Sequence, residues 1–233
     1  MNRLWAILCL VAAVAFAASP LLAPGFNGFE SGQFPVQIDA PPVQPAGYAF
    51  AIWGLIFVWL AIGTGFGFLR RMDDPDWAAM RMPLFVSLAV GVNWLPVAQI
   101  APVAATVMIW IMLAGALLSL FRVGDTDRWM QQAPVAIYAG WLTAASCVGL
   151  GVVLGGYGLL APTPAALVAL ALALVIAIVV QYRLHRAPEY GVTVIWALIG
   201  VIVANSAPLN AAVAGLALLG IIVILGLRGT DTE

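Results

Sequence analysis

The stretch YAFAIWGLIFVWLAIGTGFGFL, residues 48–69, contains no charged residue and is followed directly by Arg70 and Arg71. A helix needs about 20 apolar residues to cross a hydrocarbon core roughly 30 Å thick. The stretch is therefore long enough for one membrane crossing, and the two arginines mark its end. It lacks the strict two-residue alternation of a barrel strand, so it predicts a transmembrane helix.

The rest of the chain repeats this pattern. Of its 233 residues 64% are hydrophobic and 8% are charged, which is the composition of an integral membrane protein. We predict an all-α, polytopic transmembrane bundle of about eight spans, of which the seventh is short. The predicted spans are residues 4–22, 48–69, 83–100, 102–121, 134–154, 164–182, 192–204 and 209–227.

The basic residues predict the orientation, because Arg near a span end is retained on the cytoplasmic side. All nine basic residues are Arg, and each falls before the first span or after an even-numbered one. The connections 23–47, 155–163 and 205–208 contain none. We therefore expect a multi-pass protein of the bacterial cytoplasmic membrane with both termini in the cytoplasm. Arg228 supports the short seventh span, since seven spans would place it outside.

Two segments near the N-terminus allow alternative interpretations. The first span is expected to be a retained helix, although Arg3 and the small residues around Ala15 and Ala17 also resemble a cleaved signal peptide. The long external loop 23–47 is rich in Pro and Gly. It is interpreted either as a lid over the bundle or as a passive linker.

The predicted spans contain no Asp, Glu, Lys, Arg or His away from their ends. This argues against an ion-coupled pump, a membrane metalloenzyme and a haem protein with an axial His. The acidic group Asp73, Asp74 and Asp76 is interpreted as a charge-balanced surface loop rather than a metal site, since Arg70, Arg71 and Arg81 surround it. We expect neither enzymatic activity nor nucleic-acid binding, and we expect Cys9 and Cys147 to be buried thiols.

Aromatic residues form two faces at helical spacing. Phe50, Trp53 and Phe57 share one face of the second span, and Tyr138 and Trp141 share one face of the fifth. Two such faces predict either a cavity for a flat apolar ligand or ordinary helix packing. The GxxxG pairs Gly63/Gly67 and Gly151/Gly155 indicate close helix contacts. Helix breaks near Pro96 and Pro208 would instead suit a transporter path.

Several of these segments together resemble one family. PAGYAFAIWGLIF at residues 45–57, VGVNWLP around Asn93, an apolar fourth span with Trp110, and IYAGWLTAA around Trp141 resemble successive helices of the tryptophan-rich sensory protein family (TspO/MBR, translocator protein). The resemblance covers a five-helix core, residues 1–155. Residues 156–233 would then be a three-helix C-terminal extension of the longer bacterial forms.

The resemblance implies binding of a tetrapyrrole or another flat hydrophobic molecule, with a sensory, regulatory or transport role and no covalently bound cofactor. It implies a ligand site at Tyr48, Phe50, Trp53, Asn93, Tyr138 and Trp141, and it implies homodimers. Trp94 departs from the family pattern, because it follows Asn93 directly instead of standing three residues later. The alternatives from other classes are a transporter of a small neutral or apolar substrate and a structural membrane protein without a ligand.

Overall fold

The computed structural model describes residues 2–21 and 28–229. Within them the chain forms eight α-helices and no strand apart from one isolated bridge between Ser206 and Leu209. The helices are α1 (Asn2–Ala18), α2 (Ile52–Arg70), α3 (Pro75–Ile100), α4 (Pro102–Phe121), α5 (Gln132–Gly156), α6 (Pro162–Leu184), α7 (Pro188–Ala204) and α8 (Ala211–Gly229). A 3-10 turn, Gly47–Ala51, leads into α2.

Six of the helices in the described residues are long and apolar enough to cross a membrane, when α1 and α2 are counted with the 3-10 turns that adjoin them. The other two, α7 and α8, are apolar but shorter. With 17 residues, α7 is roughly 25 Å long at about 1.5 Å per residue. The predicted all-α polytopic bundle is confirmed.

Helix α5 lies at the centre of the bundle and is the most buried of the long helices. It contacts α4 on one side, α6 and α7 on another, and α2 more loosely. Helices α1 and α3 complete the wall beside α2, and α8 packs on α6 and α7. Helix α1 buries one face, including Ala6, Cys9 and Phe16. Its retention in the mature protein stays a prediction. The division at residue 155 stays a prediction.

Helix α3 differs most from its predicted span, because it begins at Pro75 rather than at residue 83. Asp74 caps it by accepting a hydrogen bond from the backbone N–H of Asp76 at 3.0 Å. Pro83 and Pro96 both lie inside the helix. The predicted break at Pro96 is therefore wrong: a proline removes one hydrogen bond, but the turns on either side keep theirs. The break before α8 is confirmed.

Charged side chains collect at one end of the bundle, which we call the arginine end. Four ion pairs tie its connections together: Arg3–Asp73 at 2.9 Å, Arg71–Asp127 at 2.6 Å, Arg128–Glu189 at 2.6 Å and Arg186–Asp125 at 2.6 Å. Two members of the acidic group pair with arginine: Asp73 with Arg3, and Asp74 with Arg71 at 3.8 Å. The side chain of Arg228 lies outside the described residues.

Arg81 is the exception among the arginines, because it is inside α3 and only 2% exposed. The prediction that it belongs to the polar connection is wrong. Its guanidinium donates to the backbone oxygens of Arg71 and Met72, each at 2.7 Å, and of Gly67 at 3.3 Å. The last carbonyls of a helix have no partner within the helix, so a buried cation can satisfy them.

Glycine allows the close contact that the GxxxG pair on α2 predicts. A Cβ atom at Gly67 would lie 2.4 Å from the Trp77 ring, and one at Gly63 would lie 2.3 Å from the backbone oxygen of Met130. Trp77 is 1% exposed and occupies the space that the absent side chain of Gly67 leaves. Cys9 and Cys147 are buried free thiols, as predicted.

The described part of the long loop, residues 28–46, lies across the opposite end of the bundle. Gln33 Nε2 donates to the oxygen of Ala98 at 2.9 Å, and the backbone N–H of Val36 donates to Gly156 at the same distance. Ala46 N–H donates to Gly200 O at 3.0 Å. The loop therefore covers α3, α5 and α7, as the lid interpretation predicted. Residues 22–27, which include the end of the first predicted span, lie outside the described residues.

Candidate functional site

Aromatic rings from α1, α2 and α5 meet below the loop. Phe50, in the 3-10 turn before α2, and Trp53 of α2 each meet Trp141 of α5 edge to face, with ring centroids 5.7 and 6.1 Å apart. Phe16 of α1 contacts Phe57 edge to face at 4.9 Å. These spacings lie within the range that aromatic pairs prefer. The two aromatic faces predicted on the second and fifth spans therefore face each other, and Phe16 of α1 adds a further ring to the cluster.

Two spaces adjoin this cluster. The first, which we call the inner cavity, has a volume of about 30 Å³ and lies between α3, α4, α5 and α7, beneath the loop residues Phe29 and Gln44. The second, the α1–α2 groove, has a volume of about 560 Å³. A space of about 15 Å³ holds a single water molecule, whereas ligand pockets span roughly 300–1,000 Å³. The groove therefore has the capacity for an organic ligand, and the inner cavity does not.

Phe50 lies between the two spaces and lines both. Trp53 lines the groove, and Trp141 lines the inner cavity. The structure thus brings together three of the six residues of the predicted ligand site.

The other three predicted residues take different positions. Tyr138 is fully buried and its hydroxyl lies 2.8 Å from Ser87 Oγ, so it supports the aromatic cluster from behind through a contact with Phe16. Tyr48 is 45% exposed and packs against Trp196. Asn93 is exposed on α3. None of these three lines the groove or the inner cavity.

Phe16 and Trp94 line the α1–α2 groove but were not among the predicted residues. Trp94 also lines the inner cavity, and its indole N–H donates to Ala105 O at 2.9 Å. Trp94 could have been singled out from the sequence, because it departs from the family spacing by following Asn93 directly. Phe16 gave no signal, since it is one apolar residue in an apolar span.

The indole N–H of Trp141 is the polar group with an unmet requirement in this region. The side chain is 2% exposed, and its Nε1 has no hydrogen-bond partner among the described residues. Burying an N–H group without an acceptor costs free energy. An acceptor atom on a molecule bound beside Phe50 would satisfy it.

The described residues that line the two spaces include no ionisable side chain. Within the same part of the chain, no group of three or more His, Cys, Asp or Glu residues is arranged to hold a metal ion. The site offers aromatic faces, an indole N–H and the amide of Gln44. This chemistry suits recognition of an apolar molecule with few polar atoms.

Comparison with known proteins accords with this geometry. The sequence model of the family described as TSPO-like protein matches residues 2–228. The chain belongs to the TSPO-like protein family. The match extends from α1 into α8 and confirms the resemblance carried by the PAGYAFAIWGLIF, VGVNWLP and IYAGWLTAA segments. This TSPO-like protein is therefore an integral, multi-pass membrane protein embedded in a lipid bilayer.

No curated protein and no solved structure matches this TSPO-like protein. Its site is therefore described from its own residues.

Proposed function

We propose that this TSPO-like protein binds a flat, hydrophobic small molecule of the tetrapyrrole type in the α1–α2 groove. The observation that carries the proposal is the convergence of Phe50, just before α2, and Trp53 of α2 on Trp141 of α5 beside a groove of about 560 Å³. Aromatic walls favour a planar partner, because ring faces and edges stack on it without needing charged groups.

The stacking of Trp53 on Phe57 supports a planar ligand in particular. Their rings lie 5.3 Å apart at an interplanar angle of 17°, so they form a stacked pair beside the groove. Phe16 stands almost perpendicular to both rings on the α1 side. A flat molecule bound beside this pair would meet Phe16 at its edge.

Trp141 would supply the polar contact of this complex. Its N–H group lies behind Phe50 with no acceptor among the described residues. A ligand carbonyl, carboxylate or ring nitrogen that reached it would gain a hydrogen bond that the empty site lacks. The protein would then select ligands that carry one acceptor atom next to a large apolar face.

We also propose that the arginine end faces the cytoplasm of a bacterial cell and that the loop covers the outer face. Arginine next to transmembrane helices is retained in the cytoplasm, and the described arginines lie at that end. A sensory or regulatory binder needs no catalytic group at its site, and we expect no enzymatic activity. The homodimer implied by the family resemblance is part of the proposal, and light scattering of the purified protein tests it.

Titration of the purified protein with protoporphyrin IX, followed by Trp fluorescence, tests the ligand site. We expect saturable quenching that is lost in a Trp53→Ala, Trp141→Ala double variant. The matched control is Trp110→Ala, which removes an indole from α4 outside both spaces and should leave the binding curve unchanged. Quenching without saturation, or saturation that persists in the double variant, contradicts the proposed site.

Flux measurements in reconstituted vesicles separate this proposal from the transporter alternative. A static binder takes up no more porphyrin into protein-containing vesicles than its own stoichiometry allows. Sustained uptake that depends on Trp53 would assign the same groove to transport.

A further inference from the structure

A second groove lies on the opposite side of α2, between this helix and α7, and we call it the α2–α7 groove. Its volume is about 630 Å³. Its walls include Leu55 and Trp59 of α2 and Val192 and Trp196 of α7. Leu55 and Val192 are 49% and 60% exposed, so the groove opens sideways onto the surface that the bilayer covers.

One end of this groove is charged. Glu189 lines it at the start of α7, and its Oε1 accepts a hydrogen bond of 2.6 Å from Arg128. Its second oxygen, Oε2, is buried and has no hydrogen-bond partner among the described residues. The Glu189 side chain is 12% exposed, so water has little access to this oxygen. A buried carboxylate oxygen without a donor is unfavourable, and it marks the place where a bound donor would be stabilised.

The surroundings of Glu189 place this end at the depth of lipid headgroups. The guanidinium of Arg128 lies 4.9 Å from the Trp129 ring centroid, and Trp129 stacks on Trp59 at 6.3 Å. Trp129 is 58% exposed and lies at the arginine end. Tryptophan and arginine in this combination are typical of the boundary between hydrocarbon and headgroups.

The groove offers an apolar channel and a carboxylate oxygen that lacks a donor. A third group, the guanidinium of Arg128, lies next to that carboxylate, and the Arg128 side chain is 45% exposed. A molecule that complements all three carries an alkyl chain, an N–H donor with positive charge, and an anionic oxygen beside it. A phospholipid with a primary ammonium headgroup has these groups. Its ammonium would donate to Glu189 Oε2, and its phosphate would lie beside Arg128.

We propose that the α2–α7 groove is a binding site for one phosphatidylethanolamine molecule. The site is separate from the α1–α2 groove, because the aromatic face of α2 with Trp53 and Phe57 borders that groove and the face with Leu55 and Trp59 borders this one. Phosphatidylcholine is the discriminating comparison, since its methylated ammonium has no N–H group to donate.

Native mass spectrometry of the detergent-solubilised protein tests the site with these two lipids in matched acyl-chain forms. We expect one retained phosphatidylethanolamine per chain and an affinity about tenfold higher than for phosphatidylcholine, as one charge-assisted hydrogen bond would give. Glu189→Gln should bring the ratio close to one. Asp125→Asn is the matched control, because it removes an arginine-paired carboxylate from the same end but outside the groove, and it should keep the preference.

A second variant keeps the test decisive if Glu189→Gln does not fold. Val192→Trp fills the exposed side of the groove and leaves the Arg128–Glu189 pair in place, and it should abolish the retained lipid. Equal affinity for the two lipids, a preference that survives Glu189→Gln, or a retained lipid in Val192→Trp overturns the proposal. A dimer that forms without lipid and that Val192→Trp disrupts would also overturn the proposal, because a second copy of the chain would then occupy the groove. Phosphoethanolamine without acyl chains should not compete at equal concentration, because the channel contributes through the chains.

Discussion

Trp141 of α5 meets Phe50, in the 3-10 turn before α2, edge to face, with 5.7 Å between their ring centroids. The indole N–H of Trp141 has no acceptor among the described residues. Trp94, which lines the same inner cavity, donates its N–H to Ala105 O at 2.9 Å. The two indoles are thus similar in burial and different in hydrogen bonding. They form a natural pair for comparison.

Trp141→Phe and Trp94→Phe should differ in their effect on the free energy of unfolding. Both remove the same volume from a buried site, but only Trp94→Phe removes a hydrogen bond seen in the described structure. We expect Trp94→Phe to be more destabilising by about 1 kcal/mol. Thermal unfolding of both variants in the same detergent measures the difference, and a larger loss for Trp141→Phe would show that its N–H is bonded in the free protein.

Arg81→Met should strongly destabilise the protein, although it replaces a charge with an apolar side chain of similar length. Arg81 donates hydrogen bonds to the carbonyls of Gly67, Arg71 and Met72 at the end of α2, and methionine cannot donate to any of them. We expect a loss of about 3 kcal/mol in the free energy of unfolding. Arg122→Met, at an exposed position just after α4, is the control and should change it by less than about 0.5 kcal/mol. Equal effects would contradict a capping role for Arg81.

Two glycines on α2 should respond in opposite directions to alanine. A Cβ atom at Gly67 would lie 2.4 Å from Trp77, so Gly67→Ala forces the indole or the helix to move and should cost about 1–3 kcal/mol. At Gly65 the nearest atom would be 3.9 Å away, and Gly65→Ala should be neutral or stabilising by up to about 1 kcal/mol through helix propensity. Thermal unfolding measures both. A neutral Gly67→Ala would show that the contact between α2 and α3 is looser than described.

The connection before α5 should become less stable in acid. The hydrogen bond from Arg71 holds the pKa of Asp127 below its usual range, the N–H of Trp77 adds to this, and partial burial opposes it. Because the folded pKa is the lower one, this contribution to stability is complete above the ordinary carboxyl pKa of about 3.9 and is lost as the pH falls through the folded value.

Asp127→Asn should therefore flatten the pH dependence of unfolding between about pH 5 and pH 2. Asparagine also tolerates the positive φ of 53° at this position. Asp73→Asn is the control, because Asp73 pairs with Arg3 in a fully exposed position where solvent screens the interaction. If both variants flatten the curve equally, Asp127 has no special contribution.

Hydropathy and the placement of arginine were enough to predict the helices of this protein and where they end. The eight helices, the arginines that end them and the aromatic faces of α2 and α5 are properties of short segments, and lipid leaves a segment of 20 apolar residues little choice but to form a helix. The helical period then placed Phe50 and Trp53 on one face. These features were predicted and are present.

Only the tertiary structure decided which residues contact one another in the interior of the helical bundle. Asn93 and Trp94 are neighbours in the chain, but successive residues of a helix point about 100° apart, so the rotation of α3 against its neighbours turns one outward and the other into the cavity. From the sequence, Arg81 was expected in a polar connection. In the structure its guanidinium instead donates to carbonyls at the end of α2. Neither outcome can be read from a single segment, because each depends on atoms that another helix brings to it.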